Sequence, residues 1–247
     1  AGLRIMERGG NAVDAAVAVA ATLSVVEPTM NGVGSDLFAL VWDGAALHGL
    51  NASGRSPRAW SLERFAAFGS MPELGWESVT VPGAVSGWVA LSERFGSLPF
   101  GVLLEPAIGY AREGFPVLPK MAELWREGAQ RFASFPDWTR TFLPAGRAPV
   151  AGEIFRLPEL AATLEQIAET RGAALYGGAL GQRMVRASAA AGGALTLEDL
   201  AGHAPEFVEP IAVDFHDVRV CEPPPNGQGL AALIALGILR HLPLAAL

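Results

Sequence analysis

The sequence has a single cysteine, a shortage of basic residues and no apolar run long enough to cross a bilayer. Cys221 has no second cysteine with which to form a disulfide or a Cys-x-x-Cys pair, and we interpret it as a small hydrophobic residue. The 18 basic residues are outnumbered by 25 acidic ones, so the formal net charge is −7 and there is no electrostatic footprint for nucleic acid. No basic amphipathic face indicates a membrane surface either. The longest apolar run, which begins at Ala15, is short and rich in alanine, and it predicts a core helix and no transmembrane segment.

Several common catalytic and binding motifs are also missing. The sequence has no Gly-x-Ser-x-Gly nucleophile elbow and no His-Glu-x-x-His zinc motif. The stretch GVGSDL lacks the third glycine of a dinucleotide fingerprint and precedes a predicted strand instead of a helix. None of the histidines has metal-ligand spacing, and we interpret them as structural: His48, His203, His216 and His241. These absences argue against a metal site and against a bound dinucleotide.

The residues that are present predict one continuous domain over residues 1–247. The chain is 51% hydrophobic, which is enough for a full core, and it shows no repeat, low-complexity tract or linker. Apolar periodicity and glycine stops predict helices over 1–8, 11–26, 84–95, 100–113, 157–172 and 178–193, after the capping box of Thr196 and Asp199, and from Leu230 onward. A hairpin around Asp43-Gly44, strands near 79–81, 206–213 and 217–221, and an irregular segment of helical turns at the surface over 119–150 complete the prediction. The helix over 11–26, with Asn11 as its N-cap, is apolar nearly all round, so we expect it to be covered on every side.

Arg55 stands out in the stretch NASGRSPRAW, at the end of the predicted hairpin. A guanidinium held at a strand end can point into a cleft and bind a carboxylate through two parallel hydrogen bonds. Gly54 permits a turn or a close backbone approach there, and Pro57 stiffens the exit. An arginine in a structural ion pair has the same chemistry, so the residues alone leave both interpretations open.

Longer stretches of the sequence resemble the γ-glutamyltranspeptidase family. They are RGGNAVDAAVAVAATLSVVEPTMNGVGSDLFALVW, VTVPGAVSGWVAL, LPFGVLLEPAIGYAREGFPV, LPELAATLEQIAET, GGALTLEDLAGH and PPPNGQG, and they follow the family's order and spacing over nearly the whole chain. The resemblance implies an α+β fold, the αββα sandwich of N-terminal-nucleophile hydrolases, in which residues 1–247 form the large-subunit portion. It also implies a precursor that cuts itself to create a small subunit with a new N-terminal Thr.

The activity implied by this resemblance is the cleavage of a γ-glutamyl amide such as that of glutathione. The N-terminal Thr attacks the amide, its own α-amine serves as the base, and the acyl group passes to water or to an amine acceptor. No cofactor is needed for this chemistry. No Thr of the sequence lies in a Thr-Thr-His-type junction, so we expect the nucleophile, the oxyanion-hole glycines and the Asp that binds the substrate's α-amine to lie beyond Leu247. Because the opening AGLRIMERGG has the pattern of a helix interior, further residues are expected upstream as well.

The resemblance also favours one of the two interpretations of Arg55. The family has a substrate-binding arginine after its first hairpin, and Arg55 matches that position, so we expect it to anchor the substrate's α-carboxylate. No catalytic residue is expected within the chain. Ser56 stands where the family usually has Glu, and GVGSD replaces an all-glycine run, which is more typical of acylase-like branches. A glutaryl or cephalosporin acylase-like hydrolase and a non-catalytic binding relative are therefore the alternatives.

Two further segments have an open role. The glycine-rich turn forms either a cleft lining or a structural turn through Asn31, Gly32, Gly34 and Ser35. The segment PPPNGQG departs from the family's Ser-Ser-Gly-Gly ending, and we expect a rigid loop between a strand and a helix.

Overall fold

The computed structural model of the protein describes residues 1–243, so residues 244–247 of the predicted domain lie outside the described part. The helices are α1 (Gly2–Glu7), α2 (Ala12–Val26), α3 (Leu62–Phe65), α4 (Ala84–Phe95), α5 (Phe100–Glu113), α6 (Pro119–Arg131), α7 (Pro136–Phe142), α8 (Pro158–Thr170), α9 (Ala173–Tyr176), α10 (Ala179–Ala190), α11 (Leu197–Ala201) and α12 (Gly229–Leu239). The strands are β1 (Leu37–Trp42), β2 (Leu47–Ala52), β3 (Phe115–Pro116), β4 (Ile154–Phe155), β5 (Glu206–Val208), β6 (Ile211–Phe215) and β7 (Val218–Glu222). α4 and α5 have the predicted bounds.

β1, β2 and β5 form a sheet with β2 at its centre. β1 and β2 are the predicted hairpin, and Asp43 Oδ1 stabilises its turn by accepting from the backbone N–H groups of Ala45 and Ala46, both at 2.8 Å. β5 runs antiparallel to β2 and places Glu206 opposite Asn51. This pairing brings a late segment of the chain to the end of the first hairpin.

A layer of helices covers one face of this sheet. α4 packs against β1 and β2, and α2, α5 and α8 pack side by side around a core of fully buried aliphatic side chains. The largest of them are Ile5, Val17, Val25, Leu50, Leu103, Leu104, Leu164 and Ile167. Burial of each such side chain stabilises the fold by about 1.5–3 kcal/mol, so this layer fixes the position of the hairpin.

Asn11 begins α2 as predicted. Its side-chain oxygen accepts from the backbone N–H groups of Val13 and Asp14, at 2.9 and 3.0 Å, and Asp14 Oδ2 accepts from the N–H of Asn11 at 3.0 Å. The prediction that this helix is covered on every side is wrong for the described residues. Val19 is 40% exposed, because the core contacts only the opposite side of the helix.

The predicted strand near residues 79–81 is wrong. Residues 76–78 form a single 3₁₀ turn, and the extended residues after it pair with no strand of the described chain. The backbone N–H of Val81 instead donates to the carbonyl of Arg55 at 3.0 Å. The β-branched residues 79–81 pack closely against the end of β2 but form no ladder of hydrogen bonds with a strand.

The segment 119–150 is more regular than predicted, because its prolines begin helices. Pro119 and Pro136 each occupy the first turn of a helix, where proline is tolerated because its missing N–H needs no partner. The segment is also anchored in the core. Trp125 is fully buried and donates from Nε1 to the carbonyl of Phe142 at 2.9 Å.

The single strand predicted over 206–213 is divided in two. Residues 209 and 210 separate β5 from β6, because Pro210 has no N–H with which to continue a ladder. β6 pairs with β7 in a separate two-stranded sheet, and α12 packs against both strands. Within residues 1–243, no helix is long and apolar enough to cross a membrane.

Candidate functional site

Arg55 lies in an open cleft of about 540 Å³ at the end of β2. The residues that line the cleft come from three separate parts of the chain: Asn51, Ser53, Gly54, Arg55 and Ser56 from the hairpin end, His203, Ala204 and Glu206 from the start of β5, and Asn226 from the loop before α12. The side chain of Arg55 is 83% exposed. The cleft therefore presents its guanidinium to solvent.

The backbone beneath Arg55 is held rigidly. Gly54 donates its N–H to Asp36 Oδ1 at 2.9 Å, and the carbonyl of Arg55 accepts from Val81 at 3.0 Å. A Cβ atom at Gly54 would overlap the carbonyl oxygen of Val81, and one at Gly83 would overlap that of Ala52. Glycine is thus required on both sides, because only glycine lets the two backbones approach this closely.

Arg55 forms an ion pair with Glu206, which explains why the sequence left two interpretations open. Arg55 Nη2 donates to Glu206 Oε1 at 3.1 Å, through one hydrogen bond and not the two parallel bonds of a forked contact. The side chains are 83% and 62% exposed. Exposed pairs of this kind contribute about 0–1 kcal/mol to stability, so the pair alone does not account for the rigid setting of Arg55.

His203 closes one side of the cleft, whereas the sequence predicted only a structural role. Its Nε2 lies 2.9 Å from Ser86 Oγ, and that hydroxyl donates to the carbonyl of Gly83 at 2.7 Å. Its ring stacks on Tyr176, with centroids 5.4 Å apart. Burial lowers the pKa of His203 and the guanidinium of Arg55 lowers it further, against the opposing effect of the Asp36 carboxylate. The imidazole is therefore neutral near pH 7.

The loop before α12 also reaches the cleft. Asn226 Oδ1 accepts from Asn51 Nδ2 and from Ser53 Oγ, both at 3.0 Å. The segment PPPNGQG, expected as a rigid loop between a strand and a helix, thus supplies a polar wall opposite the hairpin. The sequence carried no signal for this contact, since Asn51 and Asn226 are 175 positions apart.

The glycine-rich turn is separate from the Arg55 cleft. The carbonyl of Ser35 accepts from the N–H groups of Gly83 and Ala84, at 3.0 and 2.7 Å. Asn31, Gly32 and Ser35 line a second cleft, of about 270 Å³, beside α2 and α4. The turn supports the segment that holds Arg55, and Gly34 lines neither of the two clefts.

Within residues 1–243, no group of three or more His, Cys, Asp or Glu side chains is arranged to hold a metal ion. The charged and polar groups of the Arg55 cleft are instead suited to a small polar or zwitterionic molecule. Arg55 donates hydrogen bonds, Glu206 accepts them, and Asn51 and Asn226 can do both.

Comparisons with known sequences and structures show which proteins the chain is similar to. A sequence model described as gamma-glutamyltranspeptidase matches residues 1–247. The chain is 39% identical over 244 residues to the glutathione hydrolase-like YwrD proenzyme of Bacillus subtilis, covering 98% of this chain and 46% of that protein. It superposes on a cephalosporin acylase from Bacillus halodurans with a TM-score of 0.95 and 47% identity, covering 98% of this chain and 47% of that one. It also superposes on the gamma-glutamyltranspeptidase of Helicobacter pylori with a TM-score of 0.94 and 26% identity, covering 99% of this chain and 72% of that one. The chain spans about half the length of the curated relatives it matches.

Proposed function

The chain belongs to the γ-glutamyltranspeptidase family, and we propose that it is the large-subunit portion of an amidohydrolase that cleaves γ-glutamyl or related acyl amides. Its mixed α+β structure is that of the N-terminal-nucleophile hydrolases, which confirms the predicted family and fold. In the proposed reaction, the N-terminal Thr of a small subunit attacks the amide carbonyl, and its α-amine takes the hydroxyl proton and passes it to the amine that leaves as the C–N bond breaks. The acyl-enzyme then passes its acyl group to water or to an amine.

The observation that carries this proposal is the setting of Arg55. Its backbone is fixed by Asp36 and Val81, whereas its guanidinium is exposed in a cleft. Because the backbone is fixed and the guanidinium is planar, the N–H donors of Arg55 need less ordering when a carboxylate binds. Less conformational entropy is therefore lost on binding. The single bond to Glu206 leaves the other guanidinium donors available for that carboxylate.

Exposed apolar surface supports a small subunit as the partner. Trp42 is 64% exposed on the sheet face away from the helices, and Ile234 and Ile238 of α12 are 55% and 60% exposed. α12 is apolar along its whole length, yet within it only Leu233 is buried. A helix that is hydrophobic all round is normally covered by other parts of the protein. We therefore propose that the small subunit packs on α12 and on the exposed face of the sheet.

A cephalosporin- or glutaryl-acylase activity is the second candidate. It is favoured by the 47% identity to the cephalosporin acylase of Bacillus halodurans, and by Ser56 at the position where Glu is usual. Arg55 serves either substrate class, because a glutaryl group also ends in a carboxylate. A non-catalytic relative is distinguished by the residue at the start of the small subunit. An N-terminal Thr supplies both the nucleophile and its base, whereas Ala, Val or Gly supplies no nucleophile.

The decisive experiment compares Arg55→Ala with Arg55→Lys in the full-length protein. With γ-glutamyl-p-nitroanilide as substrate, Arg55→Ala should raise KM about 10- to 100-fold, the cost of losing a charge-assisted hydrogen-bonded carboxylate contact. Arg55→Lys should recover only part of this loss, because an ammonium lacks the fork. Arg58→Ala, which removes a nearby exposed arginine that does not line the cleft, is the matched control. An unchanged KM in Arg55→Ala would refute the anchor role.

Self-cleavage is tested separately by denaturing intact-mass measurement of the full-length protein. Two species, the second beginning with Thr, are expected. A single uncut species without hydrolytic activity would favour the non-catalytic relative.

A further inference from the structure

A third cleft, of about 560 Å³, lies between the end of α2 and the helices α6 and α7. Pro28, Thr29 and Met30 line it on one side, and side chains of α6 and α7 line it on the other. Small-molecule sites in proteins have volumes of about 300–1,000 Å³ and are lined mainly by apolar and aromatic side chains with a few polar groups. The cleft is therefore large enough to hold a small organic molecule.

Three partly buried aromatic rings form a row along this cleft. The ring centroid of Trp138 lies 5.3 Å from those of Phe132 and Phe142. Gly128 gives Trp138 its room, because a Cβ atom there would lie 3.3 Å from Trp138 Cζ2. The buried Trp125 holds Phe142 by donating from Nε1 to its carbonyl at 2.9 Å. The row is thus fixed before a ligand binds.

The charged groups that line this cleft are Glu127 and Arg131, one turn apart on α6. Arg131 Nη2 donates to Glu73 Oε2 at 3.2 Å, and its Cζ lies 5.9 Å from the centroid of Phe132. A carboxylate outside the cleft lining therefore offsets the charge of Arg131. Glu127 is exposed and takes part in none of the ion pairs within residues 1–243. The unbalanced charge of the cleft is thus negative, which favours a cation and disfavours an anion.

We propose that this cleft binds an organic cation, an alkylated ammonium that carries an aromatic group. The ammonium contacts the aromatic row beside Glu127, since aromatic faces attract cations within about 6 Å of the ring centroid. The aromatic group fills the remaining apolar volume of the cleft. The proposal depends on the side chains of α6 and α7 and makes no use of the proposed acyl-transfer reaction.

The test uses two probes of the same shape that differ only in charge. They are m-hydroxyphenyltrimethylammonium and m-tert-butylphenol, in which a carbon atom replaces the quaternary nitrogen. Their binding to the full-length protein is measured by isothermal titration calorimetry. A quaternary nitrogen has no N–H and cannot accept an acyl group, so binding is measured without turnover. We expect the cation to have a Kd about tenfold lower than that of the phenol.

Two variants locate the binding in this cleft. Trp138→Leu keeps an apolar side chain but removes the central ring of the row, and it should raise the Kd of the cation about tenfold. Glu127→Gln should raise that Kd about two- to fivefold and leave the Kd of the phenol unchanged. Glu123→Gln is the matched control, because Glu123 is an exposed glutamate of α6 that does not line the cleft. Should Trp138→Leu fail to fold, the two glutamate variants decide the test.

Three results would overturn the proposal. The first is that neither probe binds the full-length protein, as expected if another part of the protein covers the cleft. The second is equal affinity for the two probes, which would mean that the cleft does not select a cation. The third is a preference for the cation that Glu127→Gln changes no more than Glu123→Gln does, because the cation would then bind elsewhere or respond only to the overall charge of the protein.

Discussion

The close backbone approach under Arg55 makes Gly54→Ala the sharpest structural perturbation in this chain. The added methyl group would overlap the carbonyl oxygen of Val81. The backbone of Gly54 does not have a left-handed φ, so alanine meets no conformational strain and the whole cost is steric overlap. The overlapped atom belongs to a backbone and not to a flexible side chain, so the two segments must move apart.

The magnitude follows from what that movement breaks. Separation of the two segments loses the hydrogen bond from Val81 to the carbonyl of Arg55, at 3.0 Å, and strains the one from Gly54 to Asp36, at 2.9 Å. Each is worth about 1 kcal/mol, and overpacking adds about 1–3 kcal/mol. We therefore expect the free energy of unfolding to fall by about 3–5 kcal/mol.

The assay is urea unfolding of the full-length protein, with Gly101→Ala as the matched control. Gly101 lies in the first turn of α5, where a Cβ has open space, so the same chemical change there should be neutral or slightly stabilising. A free energy of unfolding for Gly54→Ala within about 0.5 kcal/mol of the control would refute the reasoning, since overpacking of this kind costs at least about 1 kcal/mol.

Three other predictions concern the helices and the cleft wall. Asn11→Ala removes the cap of α2 and should lower the free energy of unfolding by about 1–2 kcal/mol, as measured by urea unfolding. Trp125→Phe leaves the partly buried carbonyl of Phe142 without its donor, and urea unfolding should show a loss of about 1–3 kcal/mol. Burial keeps the pKa of His203 below its value in the unfolded chain, so its contribution to stability is fully present above about pH 6.5 and declines as the pH falls toward the folded pKa. Between about pH 7.5 and 5.5 the native protein should therefore lose more Tm than His203→Gln; equal losses would contradict the assignment.

Local signals predicted much of the fold. Helix caps and glycine stops located α2, α4 and α5, because these signals act within one or two turns of the chain. The hairpin followed from Asp43-Gly44 between two apolar runs. The errors came from residues whose local meaning is ambiguous: the prolines of 119–150 begin helices, and the valines of 79–81 pack without a ladder.

The candidate site was predictable only in part. Arg55 is marked by its setting between a strand end, a glycine and a proline, and by the resemblance to the family. Glu206 and His203 carry no such mark, because they reach the cleft only through the pairing of β5 with β2. Arg55 and Glu206 are 151 positions apart, and neither hydrophobic period nor motif spacing reports on contacts at that separation.

The same geometry predicts that the charged side chains of the cleft can be substituted with little loss of stability. The Arg55–Glu206 pair is exposed and joined by one hydrogen bond, so it contributes little to folding, whereas the backbone beneath it is fixed by Gly54 and its neighbours. If Arg55 anchors the substrate as proposed, stability and recognition are carried by different atoms of the same segment. We then expect substitution of Arg55 to weaken substrate binding with little effect on folding, and substitution of Gly54 to disrupt the backbone that positions Arg55.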